Sequence, residues 1–99
     1  MNNTPLQPLP ISAVLITLNA GQQLGPALNS LKFCSELLVV DSGSKDNTIE
    51  LARQRGARVI HQDWLGFGPQ KQFAIEQAQH DWVLCLDADE RITPTLEKN

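Results

Sequence analysis

The feature that most constrains this chain is an alternation of two textures along its 99 residues. Four short apolar runs, Ile11–Leu18, Glu36–Val40, Ala57–His61 and Trp82–Leu86, are spaced along it, and the first three are rich in β-branched residues. Such runs suit strands buried on both faces, as in parallel sheets. Between them the spacing turns helical. Leu24, Ala27, Leu28 and Leu31 follow i, i+3, i+4, i+7. Asn47 with Glu50 three places later reads as a capping pair, opening a helix that runs to Arg55 and stops at Gly56. A third helix is read from about Pro69 through Phe73, Ala74 and Ala78, and a further start at Thr93-Pro94.

The order β-α-β-α-β-α-β predicts an α/β fold in three layers, α/β/α, with a mostly parallel sheet joined by right-handed crossovers. Residues 1–10, with Pro5, Pro8 and Pro10, read as a flexible N-terminal tail, and residues 11–99 as one domain. The longest uninterrupted apolar run, Trp82–Leu86, is far shorter than the roughly 20 residues a membrane helix needs. Cys34 and Cys85 are too few for a disulfide framework or a zinc site and read as small buried hydrophobes. With no secretory leader pattern, the expected compartment is the cytoplasm. A net charge of −3 argues against a nucleic-acid platform, so an anionic ligand would call for a metal or local donors.

In sheets of this kind ligands bind beyond the carboxyl ends of the strands. Those ends read Thr17-Leu18-Asn19, Asp41-Ser42-Gly43-Ser44, His61-Gln62-Asp63 and Asp87-Ala88-Asp89. Asp87 and Asp89, two apart in extended backbone, fall on one side about 6.5 Å apart. Two such carboxylates repel each other unless a hard divalent cation joins them to substrate phosphates. The bland alternative is an acidic turn leading into a helix. Asp41 can accept from a base or a ribose, or bond its own backbone in a turn. Lys71, close to a helix start after Gly66-Phe67-Gly68-Pro69, is a candidate anion contact or a plain surface charge. Trp64 and Phe67 read as packing beneath that loop or as an aromatic wall. His61 and His80 read as structural or solvated.

Taken together, Ile11–Asn19, Leu37–Asp46 and Leu84–Glu90 resemble the inverting glycosyltransferases of family 2, and Gly66-Phe67-Gly68-Pro69-Gln70-Lys71 with Ala74 resembles their lipopolysaccharide-core β-glucosyltransferase subgroup. The resemblance implies the N-terminal, nucleotide-sugar-binding half of a Rossmann-like GT-A domain, taking a UDP-sugar to a saccharide or lipid-linked acceptor in cell-envelope glycan synthesis. It implies Thr17, Leu18, Asn19, Asp41, Ser42, Lys71, Asp87 and Ala88 as donor contacts. It also implies Asp87 and Asp89 as ligands of Mg2+ or Mn2+. Ser42 departs from a second Asp common in relatives. The resemblance places the general base beyond Asn99, so the expectation is an N-terminal piece that binds donor without transferring sugar, self-associating if truncated and meeting the inner membrane only peripherally.

Four other readings compete. A phospho-receiver would want acids at the end of the first strand, where Asn19 stands. A haloacid-dehalogenase-type phosphatase places Asp-x-Asp after its first strand, not its fourth. Dinucleotide binding requires G-x-G-x-x-G, which Asn19–Gly25 lacks. A non-catalytic nucleotide-binding or interaction module is the remaining alternative.

Overall fold

The computed structural model describes residues 9–87, and these form β1 (Leu9–Thr17), α1 (Gly21–Asn29), β2 (Cys34–Asp41), α2 (Thr48–Gln54), β3 (Arg58–His61), α3 (Phe67–Glu76) and β4 (Trp82–Asp87). The strands make one sheet in the order β3-β2-β1-β4, parallel throughout. The alternation in the sequence is therefore the alternation in space.

The two faces of the sheet carry different helices. Ala13, Leu15, Val39 and Leu86 pack with Leu24, Ala27 and Leu28 of α1 and Ala52 of α2. Val14, Ile16, Leu38 and Val40 pack with Ala74 of α3, flanked by Phe73 and Cys85. Strand residues one apart thus serve opposite cores, which is why β1 and β2 are apolar without a break over Ala13–Ile16 and Leu37–Val40. Cys34 is buried in the first core, where burial pushes its thiol pKa up.

Several boundaries differ from the sequence reading, each for a local reason. β1 starts at Leu9, inside the stretch read as a tail, with an irregular pairing to β2 between Leu9 and Ser12 around Pro10. A proline has no N–H to give to a ladder, and it sits here next to the strand's start. β2 starts at Cys34 and not at Glu36. Asn47 makes no side-chain cap on α2; Asp46 does that work instead, its Oδ1 accepting from the Thr48 N–H at 2.9 Å and from the Thr48 hydroxyl. α3 begins two residues before Pro69, after Gly66 at φ +101°, a conformation that favours glycine. The helix start read at Thr93-Pro94 lies outside the described residues.

A buried polar cluster ties the lower end of the sheet together. Glu36 accepts from the Ser12 hydroxyl (2.7 Å) and the Gln79 N–H (2.9 Å) at one oxygen, and from Arg58 Nε and Nη2 (3.1 and 2.8 Å) at the other. Burial alone would raise the Glu36 pKa, but these bonds outweigh it and the pKa is lowered. The Ser12 oxygen in turn accepts from the His80 N–H, so the turn between α3 and β4 is fixed to β1 and β2.

Candidate functional site

The strand order creates one topological switch. From β1 the chain moves through β2 to β3 on one side, then returns to place β4 on the other side of β1. Ligand crevices of parallel α/β sheets open at such a reversal, beyond the carboxyl ends of the two strands. Here Ile16 is in register with Asp87. A cavity of about 620 Å3 lies at that point, lined by the end of β1 and the start of α1 (Ile16–Ala20, Gln23), by Trp64 and Phe67, and by Asp87. Among the residues singled out from sequence, Thr17, Leu18, Asn19 and Asp87 meet in this cavity. Lys71 reaches its margin: Nζ stands 3.7 Å from Asp87 Oδ1, with both side chains about two-fifths exposed. Ala88 and Asp89 lie outside the described residues.

Asp41 and Ser42 do not line the cavity. Asp41 pairs in register with Thr17 but is fully buried, and its carboxylate is occupied by the loop that follows it. Oδ1 accepts from the hydroxyls of Thr17 (2.7 Å) and Ser44 (2.5 Å), and Oδ2 from the N–H groups of Gly43 (2.9 Å) and Ser44 (2.7 Å). Burial would raise the Asp41 pKa, but the Ser44, Thr17 and Gly43 bonds override it and the pKa is lowered. Gly43 at φ +112° lets the chain fold back over the carboxylate. Strand parity separates the two acids further. Asp41 follows Leu37 and Val39 toward the α1/α2 face, whereas Asp87 follows Val83 and Cys85 toward the α3 face. They share an edge of the sheet and open to opposite sides of it.

The start of α1 is closed by the β2–α2 loop. The Asn19 N–H donates to Ser44 Oγ (2.7 Å), the Ala20 N–H to Thr48 Oγ1 (2.8 Å) and the Gly21 N–H to Asp46 Oδ2 (3.1 Å). Asn19 Oδ1 accepts from the Lys45 N–H at 2.8 Å, with Asn19 itself at φ +50°. In a dinucleotide-binding domain the N–H groups here would face a pyrophosphate. In this chain they are spent on Ser44, Thr48 and Asp46, which rules against that reading on geometry as well as motif.

One contributor was missed from sequence. Gln70 is fully buried. Its Oε1 accepts from the Leu65 N–H (3.0 Å), while Nε2 donates to Ser42 Oγ and the Gln62 carbonyl, both at 3.1 Å. It fixes the β3–α3 loop against the end of β2. The available signal was spacing: Gln70 precedes buried Ala74 by four residues and so shares its helix face. The loop that it holds carries Trp64 and Phe67, which meet edge to face with ring centroids 4.9 Å apart at 89°. Both rings are solvent-facing, Trp64 at 50% and Phe67 at 68% exposure, so packing beneath the loop is not their role. His61 likewise is solvated, but it pairs with Asp63 at 2.7 Å.

Among the described residues no three His, Cys, Asp or Glu side chains converge as a metal cage, and no helix is long and apolar enough to cross a membrane. A hard cation such as Mg2+ needs only one or two carboxylates when phosphates and water complete its shell. Asp87, a carboxylate at the cavity edge, fits that requirement as one ligand.

This is the layout of a Rossmann-like parallel α/β domain with its mouth between β1 and β4. Residues 12–98 match the family described as Glycosyl transferase family 2, and the chain belongs to that family. It is 40% identical over 95 residues to the lipopolysaccharide core biosynthesis glycosyltransferase LpsC of Rhizobium meliloti, covering 91% of this chain and 35% of that protein. It is 44% identical over 88 residues to an uncharacterized glycosyltransferase of Rickettsia felis, covering 88% of this chain and 31% of the relative. Among solved structures, mannosyl-3-phosphoglycerate synthase from Rubrobacter xylanophilus superposes with a TM-score of 0.72 at 29% identity, over 87% of this chain and 33% of that one. Glucosyl-3-phosphoglycerate synthase from Mycobacterium tuberculosis, in complex with Mn2+, UDP and glucosyl-3-phosphoglycerate, gives 0.68 at 27% identity, over 82% of this chain and 35% of that one. The fold is that of GT-A glycosyltransferases, and the chain spans about a third of the length of these relatives.

Proposed function

We propose that this chain forms the donor-binding half of an inverting glycosyltransferase that takes sugar from a nucleoside diphosphate, UDP by preference, to a saccharide or lipid-linked acceptor of the cell envelope. The observation that carries the reading is the cavity at the β1/β4 switch point, with Asp87 on its rim and Lys71 beside it. The likeness to LpsC supports a role in lipopolysaccharide core assembly, and the UDP and Mn2+ of the mycobacterial structure support the donor class and a divalent metal. Work on a cytoplasmic donor pool, with only peripheral contact to the inner membrane, belongs to the same proposal.

In this reading Asp87, joined by Asp89, holds Mg2+ or Mn2+ against the diphosphate, and Thr17, Leu18, Asn19 and Ala88 border the nucleoside. The bound cation would supply charge neutralisation on the departing diphosphate. Lys71 adds a cation on a flexible stem at the same rim. Asp41 and Ser42 serve the base through the loop they shape, because the Asp41 oxygens already accept four bonds. The general base that deprotonates the acceptor comes from outside these residues, so the chain alone binds donor and leaves it intact.

Calorimetric titration tests this directly. UDP with Mg2+ is expected to bind the 99-residue chain in the micromolar to millimolar range, more weakly with EDTA, and Asp87→Asn is expected to remove the metal dependence. Equal UDP affinity with and without metal, or none at millimolar UDP, would overturn the proposal.

A further inference from the structure

We propose that Trp64 and Phe67 form the stacking wall for the nucleobase of the donor, an inference that rests on the donor-binding reading above. Two large aromatic side chains exposed side by side on a small domain are uncommon without a ligand or partner to cover them. These two line the same cavity as Asp87, with Gly66 between them at φ +101° turning the chain so that both rings reach it. The wall is held in place before any ligand arrives. Gln70 grips the loop at the Leu65 N–H and the Gln62 carbonyl, and the two rings brace each other edge to face. Set at 89°, the pair offers a base the face of one ring braced by the other, and such a preformed ring face loses little freedom on binding.

The chemistry of the cavity selects a planar, aromatic occupant with an anionic tail. One side offers ring faces, which stack on any nucleobase. The end of β1 and Gln23 line the same cavity, and the Gln23 amide can meet the polar edge of a base, whereas Asn19 Oδ1 already accepts from the Lys45 N–H. The charged groups, Asp87 and Lys71, are grouped at the rim, where a metal-bridged diphosphate would leave the base. Inorganic pyrophosphate satisfies that rim alone and gains nothing from the rings.

The chain has two tryptophans, and Trp82 lies 73% exposed at the opposite end of β4. In a Trp82→Phe background Trp64 therefore reports by itself. UDP with Mg2+ is expected to change Trp64 emission, while pyrophosphate with Mg2+ leaves it unchanged. In calorimetry Trp64→Ala is expected to weaken UDP binding roughly 5- to 150-fold, the range for loss of one base–aromatic stack. Pyrophosphate binding should be unaffected. Phe67→Ala, at a more exposed position, provides the same comparison should Trp64→Ala unfold. UDP binding that is unchanged in both variants, with silent Trp64 emission, overturns the wall and leaves the donor site standing. Absence of UDP binding to the unsubstituted chain overturns both.

Discussion

Replacing Asp41 tests the claim that this acid is spent on building the loop beneath the site. Its four accepted bonds come from two hydroxyls and two N–H groups. Asp41→Ala strands the Gly43 and Ser44 N–H groups, which cannot rotate away. Gly43 is exposed and Ser44 half-buried, so the cost is that of two lost hydrogen bonds to a charged acceptor, at the low end about 1.5–2 kcal/mol each. The expected total is about 3–4 kcal/mol, which in a domain of this size lowers Tm by roughly 15 °C or more. Asp41→Asn should cost less, about 2 kcal/mol. Its amide oxygen can face the two N–H groups and its NH2 the two hydroxyls. Ser44 Oγ already accepts from the Asn19 N–H, so it would receive a second donor with no place for its own hydrogen.

The pH dependence sharpens the test. The Asp41 pKa is lowered in the folded chain, so its stabilising contribution is complete above the ordinary Asp pKa near 3.9 and is lost as pH falls through that value toward the folded one. The amide of the Asp41→Asn variant has no such titration. Urea unfolding at pH 7 and again near pH 3 should show the stability gap between the unsubstituted chain and Asp41→Asn closing in acid. Other carboxylates titrate alike in both proteins and cancel from the difference. A gap that is the same at both pH values, or a neutral Asp41→Ala, would refute the assignment.

Two further outcomes follow from the same loops. At Gly21 an added Cβ would lie 2.1 Å from Asn47 Oδ1, the tip of an exposed side chain that can swing aside, and 3.0 Å from Asp46 Oδ2, so Gly21→Ala should displace Asn47 and change stability in thermal unfolding by less than about 1 kcal/mol. Gln70→Leu keeps the side chain near its volume but leaves the Leu65 N–H and Gln62 carbonyl unpaired. It should raise hydrogen exchange at Leu65 and weaken UDP binding while pyrophosphate binding holds; unaltered exchange at Leu65 would show that the loop is fixed by other contacts.

The fold was legible because each element announces itself locally. A parallel strand buried on two faces needs a continuous apolar run, which β1 and β2 carry at their centres, while the edge strands β3 and β4 are only half-buried. The acid at the end of β4 was legible too, since strand polarity alone puts Asp87 at the mouth. What sequence did not show depends on pairs far apart in the chain. Glu36 sits within a strand and looks like an edge charge until Ser12 and Arg58, 24 and 22 residues away, are seen to meet it. Asp41 and Asp87 look equivalent in a list of strand ends. Only register and parity reveal that they open to opposite faces, because a one-residue offset reverses a side chain's direction. Trp64 and Phe67 were ambiguous for a related reason: an aromatic beside glycine reads the same whether it lies under a loop or on it.

The closed start of α1 explains why an acidic chain of this topology would depend on a cation. Most parallel α/β nucleotide sites neutralise phosphate with the free N–H groups of the first helix. Here Asn19, Ala20 and Gly21 direct theirs to Ser44, Thr48 and Asp46. The Thr48 hydroxyl, then the Thr48 and Gly21 N–H groups, donate to exposed Asp46 and lower its pKa, so the first helical turn faces a carboxylate and not a vacancy. A diphosphate near β1 would meet that negative charge, Asp87 and a net charge of −3, with Lys71 at the rim as a counter-charge. In the proposed donor complex the attraction must therefore come from a divalent ion on the β4 side, and specificity from the rings across the cavity. Substitutions at those rings can then change the occupant of the cavity without disturbing the interlock between α1 and α2.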